Sequence, residues 1–161
     1  LGSGFCPRAL ANSRTTVEID MHAVVDQKRR LLADRGIEVP HLVAANLSVP
    51  DEVHRALTRA LAVRATDDQP VVYVLEALLI YLAPAAAVLL LESAVELALA
   101  SGAKSVALCF ADRLPNVSGV AEDAVRDALH AAGGWTRGDY VPKPGLACHM
   151  GLARRHATII S

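Results

Sequence analysis

This chain has few aromatic residues and little net charge. Phe, Trp and Tyr make up 4% of its 161 residues, and the formal net charge is -1. A near-neutral chain lacks the electrostatic footprint of a nucleic-acid binder, so no nucleic-acid partner is expected. Its one basic run, Lys28-Arg29-Arg30, reads as the solvated face of a helix. Cysteines are scarce as well. Cys6, Cys109 and Cys148 are widely spaced, with no Cys-x-x-Cys pair. That gives no zinc site and fits a reducing compartment, with a cytoplasmic location expected. A starting Met and a signal peptide are also lacking. The chain opens inside what reads as a strand, so a domain incomplete at its N-terminus is expected, and an organellar targeting segment upstream stays open. An uninterrupted membrane-spanning run is missing too. Residues 71–91 come nearest, but Glu76 lies inside them, Pro84 breaks them, and Glu92 and Glu96 follow. A strand, a loop and an amphipathic helix explain that stretch better than a membrane span.

What is present in quantity is apolar. Hydrophobic residues make up 53% of the chain, mostly Ala, Val and Leu. That suits helices packed on a buried sheet, and the length suits one domain, residues 1–161. Residues 15–19 read as a short β-branched strand and 22–35 as a helix stopped by Gly36. Residues 41–45 form the next strand. Pro50 and Asp51 open a helix to about Val63, with Val53, Leu57 and Leu61 on its buried face. A loop at 66–70 precedes the apolar strand 71–75, expected to be covered on both faces. Pro84 begins a helix to about Ser101. Residues 105–110 form a strand and 120–132 a helix. Residues 135–141 and 156–160 read as two final strands, antiparallel around the Pro142-Lys143-Pro144-Gly145 turn region. Alternating strands and helices predict an α/β, mostly parallel sheet with right-handed crossovers.

Ligands of such a sheet sit beyond the carboxyl ends of its strands, and the candidate residues fall there. Leu1-Gly2-Ser3-Gly4 reads as a strand end running into a glycine turn, where the backbone can approach a ligand without a Cβ in the way. Val17-Glu18-Ile19-Asp20 ends the next strand in acids, one of which can accept both hydroxyls of a ribose. Asn46 leaves the third strand, where its amide could bond an adenine edge. Glu76 ends the fourth, a costly place for a carboxylate unless it meets solvent or a ligand. Each also has a structural reading. The glycines can be a turn, Glu18 a surface charge, Asp20 a helix N-cap and Asn46 a cap of its own loop. A dinucleotide site needs a third glycine, and Gly2-Ser3-Gly4-Phe5-Cys6-Pro7 has none. A cofactor without a pyrophosphate fits better, and S-adenosylmethionine is one.

Taken together, these segments resemble the leucine carboxyl methyltransferase-like family of S-adenosylmethionine-dependent methyltransferases. The matching pieces are Leu1-Gly2-Ser3-Gly4 with Arg8, Val17-Glu18-Ile19-Asp20 with Lys28-Arg29, Asn46-Leu47, Gly134-Trp135, and Glu76-Ala77-Leu78-Leu79-Ile80-Tyr81-Leu82. The last is the most specific, since the family typically reads Glu-Gly-Leu-Leu-x-Tyr-Leu there. The resemblance implies a class I methyltransferase (Rossmann-like) sheet of seven strands. Its C-terminal strand is antiparallel and its first strand is largely missing from this chain. The resemblance also implies cofactor contacts at Gly2, Ser3, Gly4 and Arg8, Asp20 with Glu18 at the ribose, Asn46 and Leu47 around the adenine, and Glu76 near the methionine end. Asn46 stands where the family usually has Asp, and Cys6-Pro7 where it usually has Asp-Thr.

Methyl transfer to a carboxylate needs no general base at neutral pH, since the acceptor is already ionised. A small-molecule or protein carboxylate, or another oxygen, is the acceptor that the resemblance implies. A hydroxyl acceptor would need a base; His149 is the candidate for that base or for a substrate contact, and Tyr81 is the other catalytic candidate. Tyr81 otherwise reads as packing on the following helix, and His149 as a packed or exposed histidine. Two alternatives stand beside this reading. One is a truncated, non-catalytic remnant or interaction module of the same fold; the other is a nucleotide-dependent oxidoreductase, disfavoured by the glycine count.

Overall fold

The computed structural model describes residues 1–11, 16–64, 69–118, 121–143 and 148–157. The elements follow the expected alternation. After a short helix α1 (Arg8–Ala11) come β1 (Val17–Asp20), α2 (His22–Ala33), β2 (His41–Ala44), α3 (Pro50–Leu61), β3 (Val71–Glu76), α4 (Pro84–Ala100), β4 (Ser105–Asp112), α5 (Glu122–Ala131), β5 (Thr136–Lys143) and β6 (Cys148–His156). Proline starts α3 and α4, where its missing N–H costs nothing and its φ suits the first turn. Val53, Leu57 and Leu61 are all buried, as their spacing predicts.

β1 and β2 pair in parallel, and β3, β4, β6 and β5 form a second sheet in that order. β3 and β4 run parallel, while β6 runs antiparallel to both β4 and β5. The mixed α/β class with one reversed C-terminal strand is therefore observed. Between the two sheets lie Leu1 and Gly2. Leu1 N donates to Val74 O at 2.8 Å, and Gly2 N donates to Ile19 O at 2.8 Å. These two residues bridge β3 and β1, so the glycine turn starts at the centre of the strand order.

Three expectations are corrected. β6 runs from Cys148 to His156, so the expected start of the last strand is where this strand ends, and His149 lies within it. The backbone of 148–156 pairs along the whole of β4, and that ladder draws it into the sheet. β3 is not covered on both faces. Tyr73 and Leu75 are buried, but Val72 is 57% exposed and Val74 40% exposed. Lys28 is not solvated. It is buried on α2 between Val25 and Leu32, on the stripe that packs inward. Thr15, the loop at 66–68, Val120, the turn residues 144–145 and residues 158–160 lie outside the described residues. Among the described residues, no helix is long and apolar enough to cross a membrane.

Candidate functional site

The glycine turn and the tip of β1 meet directly. Gly2 and Gly4 have φ of +59° and +50°, in the left-handed region that favours glycine. Cys6 N closes the turn onto Ser3 O at 3.0 Å. Gly4 N then donates to Asp20 Oδ2 at 2.7 Å, and Met21 N donates to Asp20 Oδ1 at 2.7 Å. Asp20 therefore reaches back to the turn, and the N-cap position of α2 is Met21. The two glycines serve different ends. A Cβ on Gly2 would lie 3.0 Å from Leu78 Cδ1, so Gly2 makes room for the chain's own leucine and not for a ligand. A Cβ on Gly4 would meet no heavy atom within 4 Å, so that face is open.

Glu76 ends β3 beside this turn. Its Oε2 accepts from Arg8 at 2.5 Å, and both side chains remain more than half exposed. The Glu76 hydrogen bond raises the Arg8 guanidinium above its usual range. Directly after Glu76 the backbone turns sharply: Ala77 has φ +50°, and its N–H donates to Ala111 O at 3.1 Å. Gly4, Asp20, Arg8 and Glu76 are thus brought to one rim of the sheet.

Glu18 is set apart from that group. Its Oε2 accepts from Lys28 Nζ at 2.5 Å, and both side chains are 5% exposed. Lys28 also donates to Cys6 O at 2.7 Å, tying α2 to the end of the glycine turn. A carboxylate so enclosed holds the turn in place and presents no face to a ligand; the surface-charge reading fails as well. Asn46 folds over its own loop. Its Oδ1 accepts from Ser48 N at 3.0 Å, and its N–H donates to Glu52 Oε2 at 2.7 Å. Leu47 points into the core at 4% exposure, which leaves only its backbone for a ligand.

Both catalytic candidates lie near the carboxyl edge of the sheet, one buried and one exposed. His149 is fully buried on β6, opposite Asp112 of β4. Its Nδ1 lies 2.7 Å from Tyr140 Oη, and the two rings stack at 5.8 Å. Burial lowers the His149 pKa below the usual histidine range. Tyr81 is 78% exposed, so it does not pack on α4 as expected. It closes the 3-10 turn Leu79–Tyr81, which carries its ring outward.

Asp112 is the residue that the sequence reading missed. It ends β4 fully buried. Its Oδ2 accepts from Leu78 N at 2.6 Å and Leu79 N at 2.7 Å, and its Oδ1 from Ile80 N at 3.1 Å and Arg113 N at 2.8 Å. The signal was available: an acid ending an alternating apolar strand, as Glu76 does. Beside it, a cavity of about 500 Å³ opens between the start of α4 and the loop at 113–118. Leu79, Leu82, Ala87, Leu114 and Val117 line it together with the polar Arg113, Asn116 and Ser118. Among the described residues, no group of three or more His, Cys, Asp or Glu side chains could hold a metal ion.

The family model described as leucine carboxyl methyltransferase matches residues 1–95, more than half of the chain. The chain belongs to the leucine carboxyl methyltransferase family. The match takes in the glycine turn, Asp20, Asn46 and Glu76, and stops within α4, before Asp112 and the far wall of the cavity. Among solved structures, the chain is similar to one described as a pericyclic reaction enzyme, with TM-score 0.51 and 10% identity. It is similar to LepI in complex with SAM, with TM-score 0.52 and 10% identity, and to a LepI variant in complex with SAH and a substrate analogue, with TM-score 0.53 and 11% identity. Each match covers 98% of this chain and 42% of the other, so the chain spans about two fifths of their length. At such identity the likeness shows the shared class I fold. No curated protein matches this leucine carboxyl methyltransferase family member.

Proposed function

We propose that this family member is an S-adenosylmethionine-dependent methyltransferase domain, acting on an oxygen and on a carboxylate above all. One observation carries the reading: the Asp20 carboxylate, held on the Gly4 N–H, beside a face left open by the glycine. Each Asp20 oxygen accepts one backbone N–H and keeps lone pairs for the two hydroxyls of a ribose. Asn46 spends its oxygen on its loop and keeps an amide N–H for the edge of a base. Glu76, half exposed beside Arg8, offers negative charge suited to an ammonium group. Gly2, Ser3 and Leu47 would contribute backbone only.

When bound, the cofactor supplies a methyl group on a positively charged sulfur, an activated leaving group. The chain's own task is alignment and exclusion of water. The cavity beyond Glu76 has Leu79, Leu82 and Val117 for the body of an acceptor, and Arg113 on the same lining offers a partner for its negative oxygen. A carboxylate acceptor needs no base, which suits a rim where the one candidate histidine is enclosed by the sheet.

The test is isothermal titration of the chain with S-adenosylmethionine, S-adenosylhomocysteine and NAD. The first two should bind and NAD should not. Asp20→Ala should weaken binding by about tenfold or more, since bonds to a charged group contribute about 1.5–3 kcal/mol each. Binding of NAD alone, or unchanged binding by Asp20→Ala, overturns the reading. Silence with all three ligands favours a non-catalytic remnant or interaction module. Transfer of a labelled methyl group to a panel of carboxylic acids and alcohols then separates acceptors. A bound but never consumed cofactor would favour a second reading, suggested by the likeness to a pericyclic reaction enzyme.

A further inference from the structure

We propose that Asp112 is a positioning residue, setting the Glu76 end of the cofactor site and the wall of the acceptor cavity from one buried carboxylate. For its ligand-binding part this rests on the function proposed above. The turn from Ala77 to Tyr81 is held at its start by Ala77 N on Ala111 O and closed by Tyr81 N on Leu78 O, and Asp112 takes the N–H groups between. Ala77 is in the left-handed region, Ile80 and Tyr81 are exposed, and only three residues form the 3-10 turn. Three successive N–H groups of that turn, Leu78, Leu79 and Ile80, converge on Asp112. A fourth, from Arg113, starts the loop that forms the opposite wall of the cavity.

The arrangement therefore links the turn after β3 to the loop after β4 through one carboxylate. Glu76 leads into the clamped turn, and Leu79 lies in that turn and also lines the cavity. Gly2 adds a third element, because Leu78 seats against it. A carboxylate in so dry a place is tolerated because each oxygen accepts two N–H donors. An amide in its place turns an N–H toward those donors and cannot satisfy all four.

The test uses Asp112→Asn, with Glu76→Gln and the double variant. Asp112→Glu serves as well if the amide does not fold, since it keeps the charge and moves it by one methylene. Hydrogen exchange without ligand is the first readout. Amides of Leu78, Leu79 and Ile80 should exchange at least about tenfold faster in the Asp112 variants, while the β4–β6 ladder keeps its protection. The second readout is affinity for S-adenosylhomocysteine. Asp112→Asn should weaken it by about tenfold alone, but by less than about twofold in the Glu76→Gln background, because it acts through Glu76. Unchanged exchange at 78–80 overturns the proposal, and so do losses that multiply fully in the double variant. A wild-type chain that binds no S-adenosylhomocysteine would end the proposed function, and the exchange result would still decide the clamp.

Discussion

Ala77→Gly should make this protein more stable. Ala77 has φ +50°, where the Cβ of an L-residue crowds the following carbonyl. That conformation costs about 1–2 kcal/mol for a residue other than glycine. Glycine removes the crowding but gives the unfolded chain more freedom, which offsets about 0.5–1 kcal/mol. The net gain is about 0.5–1 kcal/mol, because the turn is already fixed on both sides. Ala77 N donates to Ala111 O, and the next three N–H groups bond to Asp112. For a domain of this size such a gain raises Tm by about 1–4 °C. Thermal and urea unfolding should both show it, with an unchanged m-value. Ala77→Val should move the other way, since a branched Cβ is crowded further. If glycine at 77 lowers the midpoint or leaves it where it was, the strain assigned to this turn is absent. Ala77 stands where the related motif carries glycine, so the test asks whether this chain tolerates the alanine only because Asp112 holds the turn.

Three further outcomes follow from buried or tightly packed positions. Lys28→Met should destabilise by about 3–5 kcal/mol, because it strands the buried Glu18 carboxylate; adding Glu18→Leu should recover most of that loss, measured by urea midpoint. For His149, burial favours the neutral ring, so the unfolded chain binds more protons below about pH 6.5. Its contribution is full above that pH and falls as pH drops. His149→Gln should therefore lose less stability than wild type between pH 7.5 and 5, and equal losses would remove the cause assigned. Gly151→Ala should cost about 1–3 kcal/mol, since its Cβ would lie 2.8 Å from Asp139 O at the bulge of β5. Circular dichroism melts would check that loss, and a neutral result would show that the bulge can move aside.

Much of the architecture was legible because its causes are local. The apolar spacing of Val53, Leu57 and Leu61 and the prolines at Pro50 and Pro84 each act within one or two turns of chain. β6 was misplaced because its strand residues, from Cys148 to His156, mix Gly, Arg and His and lack a clean alternation. Only pairing along β4 recruits them. Within the site, the two glycines and the acids at the strand tips were legible, because each follows directly from its own strand end. Glu18 was not separable from Asp20, because both are acids near one strand tip.

What the sequence settles by itself is the order of strands and helices and the glycine turn with acids at the strand tips, because these depend on backbone preference and periodicity. The fold alone decides which acid is free. Glu18 is taken by Lys28, ten residues away, and Asp112 by N–H groups more than thirty residues back. A carboxylate's role depends on which donors surround it after packing, and those donors come from distant parts of the chain.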